Sequence, residues 1–360
     1  MACPLSEIAA QFDLTGVIAP YGDGHINDTY ATTATSPRFI IQRINHHVFK
    51  HPEEVMENIE RVTAHLRRKL TEEGGDPDRE TLTVIPTRSG QSFYRSPEGD
   101  YYRMYRFIEG ATTYNTVEKV EHFYEAARAF GRFQKLLADF PADQLHETIV
   151  DFHNTAARVQ QLKDAIAADK AGRLSSVQAE VDFALARAEE ATRVLDRIAD
   201  GTVPLRVTHN DTKLNNIMID DVTGKGLCVI DLDTVMPGSL LYDYGDSLRF
   251  GSNAAAEDEK DLSKVYCRTD LFEAFTRGFT EEMQETLTDA EWELLVFSAK
   301  LMTYECGIRF LADYLNGDTY FKTKYPEHNL DRCHTQFKLV ADMEDKVDEL
   351  EAIVRACRKN

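Results

Sequence analysis

The spacing of apolar residues changes character near residues 109–110, and this change constrains the fold of the 360-residue chain more than any other feature. Before it, short β-rich stretches recur at residues 16–21, 29–31, 38–44, 82–85 and 101–108, separated by Gly, Pro, Asn and Asp clusters. One helical stretch, 52–69, is inserted among them, with Val55, Ile59, Val62 and Leu66 on a single face. Gly74, Gly75, Asp76 and Pro77 then break the chain. Five strands and a helix suffice for a small antiparallel sheet with a helix packed on it.

Beyond residue 110 the periodicity is helical. Residues 117–137 place Val120, Phe123, Ala127, Phe130 and Gly131 along one stripe, and the Gly predicts close helix packing. Residues 155–199 predict a helical pair, and further helices are expected at 256–286, 289–315 and 333–356. A β-rich island at 206–208, 216–220 and 226–231 interrupts them. The expectation is an α+β chain of two lobes: a β-rich lobe over 1–108, and a larger, mostly helical lobe over 109–360. The two are joined through residues 107–110. The length agrees, at ~100–200 residues per domain.

Charge removes several classes of function. Lys+Arg total 41 against Asp+Glu 61, a formal −20. A chain this acidic lacks the basic face that a phosphate backbone needs, and an anionic membrane surface repels it. No apolar run reaches the ~18 residues of a spanning helix. Residues 1–12 show no basic-then-apolar leader, so a cytoplasmic location is expected. The six cysteines are scattered without a C-x-x-C, which supports neither a disulfide framework nor a zinc site.

The chemistry concentrates in the β-rich island. His209-Asn-Asp211 is followed by Asn216, and the apolar run Leu227-Cys-Val-Ile230 ends in Asp231, two residues before Asp233. Phosphoryl transfer needs a carboxylate to receive the proton of the attacking hydroxyl and oxygen ligands for a Mg²⁺ on the nucleotide phosphates. Asp211, on a loop after a short strand, suits the base. Asn216 and Asp231 offer hard oxygen donors. A lone H-x-D is common, and Asp or Asn beside a turn usually serves the backbone; the acid-terminated apolar strand at a suitable distance raises the pattern above that reading. His209 reads as a residue that holds the loop, not as a proton carrier.

This constellation resembles the catalytic segment of the aminoglycoside phosphotransferase and choline kinase superfamily, whose members have a bilobal, protein-kinase-like fold. Most of them carry Gly where this chain has Asn210. Within the superfamily the resemblance is nearest to the N-acetylhexosamine 1-kinases. It is carried by Tyr21-Gly-Asp-Gly-His-Ile-Asn-Asp-Thr-Tyr30, Phe39-Ile-Ile-Gln-Arg-Ile-Asn45, Val229-Ile-Asp-Leu-Asp-Thr-Val-Met-Pro-Gly238, Glu305-Cys-Gly-Ile-Arg-Phe-Leu311 and Gly317-Asp-Thr-Tyr-Phe321.

The resemblance implies ATP and Mg²⁺, with ATP between the lobes. It implies Asp211 as base, Asn216 and Asp231 as metal ligands, and Gly22 and Gly24 in a nucleotide-covering loop. Arg43 falls where relatives keep a cation for the phosphates, with Glu54 or Glu57 as its expected partner; a plain surface Arg is the competing reading. Phe107 and Ile108 fall at the adenine hinge. His25, Asp233, Arg309 and Tyr320 fall where the hexosamine would lie, although Arg309 on its helix could instead pair with an acid. The implied reaction is phosphorylation of the anomeric hydroxyl of N-acetylglucosamine or N-acetylgalactosamine. Another sugar, an aminoglycoside or an amino alcohol stays open as acceptor. A nucleotide-holding pseudokinase is disfavoured by the presence of base and metal residues together, and a His-rich metal hydrolase by the lack of histidine partners for His209. Asp243 and Asp246 read as loop-stabilising acceptors, and Glu257, Asp258 and the 344–351 run as solvated faces.

Overall fold

Alternation in two neighbouring strands sets the architecture of the first hundred residues. The computed structural model describes residues 4–14, 16–22, 26–33 and 36–359. A short helix α1 (Leu5–Gln11) precedes strands β1 (Ile18–Pro20), β2 (Asp28–Thr32) and β3 (Phe39–Ile44). The long helix α2 (Pro52–Glu72) begins at Pro52, where a missing N–H goes unmissed. One turn, α3 (Pro77–Glu80), leads into β4 (Val84–Ile85), β5 (Phe93–Arg95) and β6 (Tyr101–Arg106). All pairings are antiparallel, in the order β1-β2-β3-β6-β4, with β5 also on β6. On one face Ile41, Tyr102 and Met104 pack with Ile8 and Phe12. On the other, Ile44, Tyr101 and Tyr105 join Val55, Met56 and Ile59 of α2 in the main core.

After residues 107–110 the chain leaves that sheet: β7 (Ala111–Thr112) pairs with a strand of the second half. Four helices follow, α4 (Val120–Leu136), α5 (Thr155–Ala168), α6 (Gln178–Leu185) and α7 (Arg193–Ala199). The β-rich island comprises β8 (Arg206–Thr208), β9 (Ile217–Asp220), β10 (Gly226–Val229) and β11 (Met236–Gly238). β7, β9 and β10 form one small sheet, and β8 and β11 another. Then come α8 (Leu240–Gly251), α9 (Thr269–Met283), α10 (Asp289–Asn316), α11 (His328–Asp345) and α12 (Val347–Cys357). The result is an antiparallel sheet lobe beside a large helical part.

Close helix contacts occur at glycines. A Cβ on Gly131 of α4 would lie 2.7 Å from the Phe279 carbonyl of α9, and one on Gly245 of α8 would collide with the Ser298 carbonyl of α10. Helix α2 is also tied to the helical part. The Asn58 amide donates to the carbonyls of His146 (2.8 Å) and Val235 (3.0 Å), while its oxygen accepts from the His146 N–H (2.8 Å).

Several local expectations are corrected. Residues 155–199 form three helices, because α5 ends at Asp169 in a left-handed conformation and turns separate the rest. The helix expected from 256 starts only at Thr269: Asn253 bridges to Cys267, Glu257 pairs with Arg249 (3.1 Å), and Asp258 with His328 (3.1 Å). Neither acid is therefore a merely solvated one. Glu344 likewise pairs with Arg187 (2.6 Å). Residues 240–251, not among the expected helices, form helix α8, capped by the Ser239 hydroxyl.

Candidate active site

The loop after β8 is built by hydrogen bonds that hold an uncommon backbone. Asn210 sits at φ +66°, a left-handed conformation open to Gly and to Asn. That explains why Asn can stand where most of the superfamily has Gly. The side chain adds bonds that Gly could not make, to the carbonyls of Thr234 (2.9 Å) and Thr208 (3.3 Å). Asp243 of α8 accepts from the backbone N–H groups of His209 (2.8 Å) and Asn210 (2.7 Å), and from Gln134 (2.6 Å). Asp243 is thus an acceptor that stabilises the loop, as expected, but from a helix. Asp246 pairs with Arg249 at 2.8 Å. His209 is fully buried, against Phe130 and Phe133. Its Nε2–H donates to the Ile230 carbonyl (2.8 Å), which ties the loop to the residue before Asp231.

Asp211 emerges beside Asn216 and Lys213. The Asn216 amide N–H groups bond the Asp211 carbonyl (2.7 Å) and approach its carboxylate (3.3 Å). Its amide oxygen makes no hydrogen bond among the described residues. Lys213 places its ammonium 2.8 Å from Asp211. Burial works to lower the Lys213 pKa, but Asp211 and Asp246 outweigh it, and the net direction is up. Asp231 follows β10 at φ +60°. Burial, then Asp233 and Asp211, push its carboxyl up to about 6. Hard oxygens gathered where carboxylates repel one another fit a divalent cation, which would relieve that repulsion. Asp231, with Asn216, would hold it.

The remaining expected residues fall in three groups. Gly24 and His25 lie outside the described residues. Gly22 has φ +74° beside Tyr21, whose ring meets Phe107 edge-on at 5.5 Å. Phe107 lies under the Arg38 guanidinium (3.7 Å), and Ile108 is buried, both in the segment that joins the two parts. Arg43 is not brought to this cluster. It projects from the sheet face of Ile41 and Tyr102, and pairs with Asp28 (2.6 Å) and Asp100 (3.5 Å) instead of Glu54 or Glu57. Strand alternation puts Gln42 and Arg103 on the inner face, and there Arg103 makes an ion pair with Asp233. The other Asp233 oxygen accepts from Asn27 (2.6 Å).

Arg309 and Tyr320 do come together, at a cavity of about 430 Å³ between α5, α10 and residues 319–321. Asp313 shapes it by accepting the backbone N–H groups of Thr319 (2.9 Å), Tyr320 (2.8 Å) and Phe321 (2.9 Å). Arg309 lies among the rings of Phe152, Tyr320 and Phe321, at 5.5–5.9 Å. Arg158 and Lys170 line the same cavity. Burial, and then Arg309, hold the Arg158 guanidinium below its ordinary pKa. Asp211 is not among the lining residues; Phe152, whose ring faces Arg309, and His153, bonded to the Asn210 carbonyl, connect the cavity to the loop after β8.

Sequence reasoning missed Lys213, Arg103, Asn27 and His153. A Lys two residues beyond the candidate base, and an Arg in the aromatic strand Tyr101-Tyr-Arg-Met-Tyr105, were the available signals. Nothing local marks Asn27 or His153.

The fold has close relatives in shape. A microcompartment-associated aminopropanol kinase superposes with a TM-score of 0.62 at 16% identity, covering 96% of this chain and 98% of the other. An aminoglycoside phosphotransferase from Alicyclobacillus acidocaldarius gives 0.65 at 15% identity, over 99% and 97%. A spectinomycin phosphotransferase, solved in complex with ADP and spectinomycin, gives 0.58 at 13% identity, over 96% and 97%. These likenesses establish the protein-kinase-like α+β fold. The model of the phosphotransferase enzyme family matches residues 17–278, well over half of the chain. This chain therefore belongs to the phosphotransferase enzyme family.

Proposed function

We propose that the protein transfers the γ-phosphoryl group of ATP to the anomeric hydroxyl of an N-acetylhexosamine, N-acetylglucosamine or N-acetylgalactosamine. The observation that carries the acceptor reading is the charge of the cavity at Arg309. Arg158, Lys170 and Arg309 line it against two carboxylates, Asp164 and Asp313, and Asp313 is turned toward backbone N–H groups and Asn329. The cations outnumber the carboxylates, which disfavours a protonated amine. Guanidinium donors and the Tyr320 face instead suit hydroxyls, an acetamido carbonyl and the C–H side of a sugar ring. The nucleotide reading draws on the family, and on ADP in the spectinomycin phosphotransferase complex.

In this reading Asp211 orients the acceptor hydroxyl and takes its proton. Lys213, beside it, offsets negative charge where the phosphoryl group passes. A bound Mg²⁺ would supply charge neutralisation on the nucleotide phosphates. Asn216 and Asp231 are the residues to hold it. Gly22, Phe107 and Ile108 would lie along the nucleotide, and Arg309 and Tyr320 along the sugar.

The test incubates the protein with Mg·ATP and N-acetylglucosamine, N-acetylgalactosamine, glucose, galactose, kanamycin or choline, following ADP release. Asp211→Asn is the control, expected to lower kcat by roughly 10²–10⁴. An acid-labile phosphosugar from the N-acetylhexosamines alone supports the reading. Turnover of kanamycin or choline in preference to the sugars overturns the acceptor assignment, and full activity of Asp211→Asn overturns the base.

A further inference from the structure

His153 is buried between the catalytic loop and helix α10. Its Nδ1 lies 2.9 Å from a Glu305 carboxylate oxygen, and its Nε2 3.1 Å from the Asn210 carbonyl. A carbonyl cannot donate, and an ionised carboxylate cannot either. With Glu305 ionised, the direction in which its own pKa is shifted, both contacts are hydrogen bonds only when the ring carries two N–H groups, which makes it an imidazolium. The second Glu305 oxygen accepts from the Thr155 hydroxyl (2.6 Å), so the carboxylate is satisfied on both sides. Glu305 and Arg309 are one turn apart on α10, and Asn210 is bonded to Asp211. His153 thus bridges α10 and the loop that carries the candidate base.

We propose that His153 is a positioning residue held as an imidazolium, which clamps the Asn210 carbonyl to Glu305 and fixes Asp211 relative to Arg309. The proposal rests on the reading of Asp211 as the base and of Arg309 as facing the acceptor. The groups around the ring agree with a cation. Glu305 faces it from α10, with Arg309 beyond Phe152. From α8 come Asp246 and the Tyr242 ring (5.5 Å), from α5 Thr155, and from the loop the Asn210 carbonyl. Burial opposes the charge, yet Glu305, then Asp246 and Asn210, outweigh it and raise the His153 pKa. Glu305 in turn is lowered, despite its own burial, by His153 and Arg309.

The first test is nitrogen NMR on the wild-type protein labelled in its histidines, with His153→Gln identifying the signals. Both His153 ring nitrogens are expected to be protonated from about pH 6 to about pH 8, well above the ordinary titration of histidine near ~6.5. An unprotonated Nδ1 or Nε2 near pH 7.5 overturns the proposal, whether or not any acceptor is turned over. The second test is kinetic. Glu305→Gln keeps the shape but removes the charge that holds the proton. Its kcat relative to wild type should fall up to roughly 10²-fold near pH 8, the scale of a small misplacement. The ratio should recover toward pH 6, while the KM for ATP stays unchanged. A ratio near one across that range overturns the positioning role. If Glu305→Gln does not fold, the wild-type spectrum decides. If no acceptor in the panel is phosphorylated, the proposed function fails separately, and the spectrum still reports the charge.

Discussion

Arg103 of β6 and Asp233 of the loop after β10 form an ion pair with 1% and 3% of their side chains exposed, across the boundary between sheet and helical part. Gln42 accepts two further bonds from the same guanidinium, at 2.8 and 3.0 Å. Removing one partner of such a pair leaves a buried, uncompensated charge. Arg103→Met should lower the unfolding free energy by about 3–5 kcal/mol. Adding Asp233→Leu to it should recover most of the loss. Urea denaturation of the two variants against wild type reads both values; equal loss in the single and double variants would mean that the pairing is not the cause.

Asp231 gives changes of opposite sign in stability and activity. Its ionised form is disfavoured by burial and by Asp233 and Asp211. Asp231→Asn should therefore raise the melting temperature of the metal-free protein. On the proposed function, wild type should rise further with Mg²⁺ and nucleotide, and the same change should abolish both that rise and the proposed activity. Thermal unfolding with and without Mg²⁺, in both proteins, checks the prediction.

Asp220 makes acid stability testable. Its carboxylate accepts from the N–H groups of Thr223 (2.8 Å) and Val222 (3.1 Å), the Thr223 hydroxyl (2.9 Å) and Arg79 (2.9 Å). Thr223, then Arg79, hold it down at about 2. A carboxyl lowered by folding stabilises the native state above its unfolded value, near ~3.9. That contribution is lost as the pH falls toward the folded value. Wild type should accordingly exceed Asp220→Asn in stability near pH 6, with the gap narrowing between about pH 4 and pH 2. Paired denaturation curves at several pH values measure that gap.

Gly245→Ala should reverse the usual helix preference. In an exposed helix this exchange gains about 1 kcal/mol. Here the new methyl meets the Ser298 carbonyl and Met302 of α10, so a loss of roughly 1–3 kcal/mol is expected. Gly131→Ala, against Phe279, should behave likewise, whereas Gly224→Ala, with no atom within 4 Å, should show only the cost of its positive φ. Calorimetric melting of the three variants separates packing from backbone effects.

The parts of this molecule that were readable in the sequence are those governed by local rules. Strands β2, β3, β6, β8, β9 and β10, and helices α2, α4 and α10, follow from periodicity; the Asp211–Asn216–Asp231 set is a proposal from spacing. The misses have a common cause. Helix α8 is not among the expected helices because its Asp243, Gly245 and Asp246 look like turn residues; its helicity comes from burial against α10 and from partners in the loop after β8. Arg43 and Arg103 sit on adjacent strands, and only the pairing of Arg103 with Gln42 shows which of them faces inward. His153 and Glu305 are 152 residues apart in the chain, so no local pattern could link them.

The three hydrogen bonds of Asn58 bear on control. Where a helix beside an active site can swing freely, catalysis can be switched by moving it. Here α2 is held by its own side chain to the backbone at His146 and Val235, and any outward rotation must break those bonds. For the proposed activity, this makes α2 a fixed wall beside the site and not a lever that switches it.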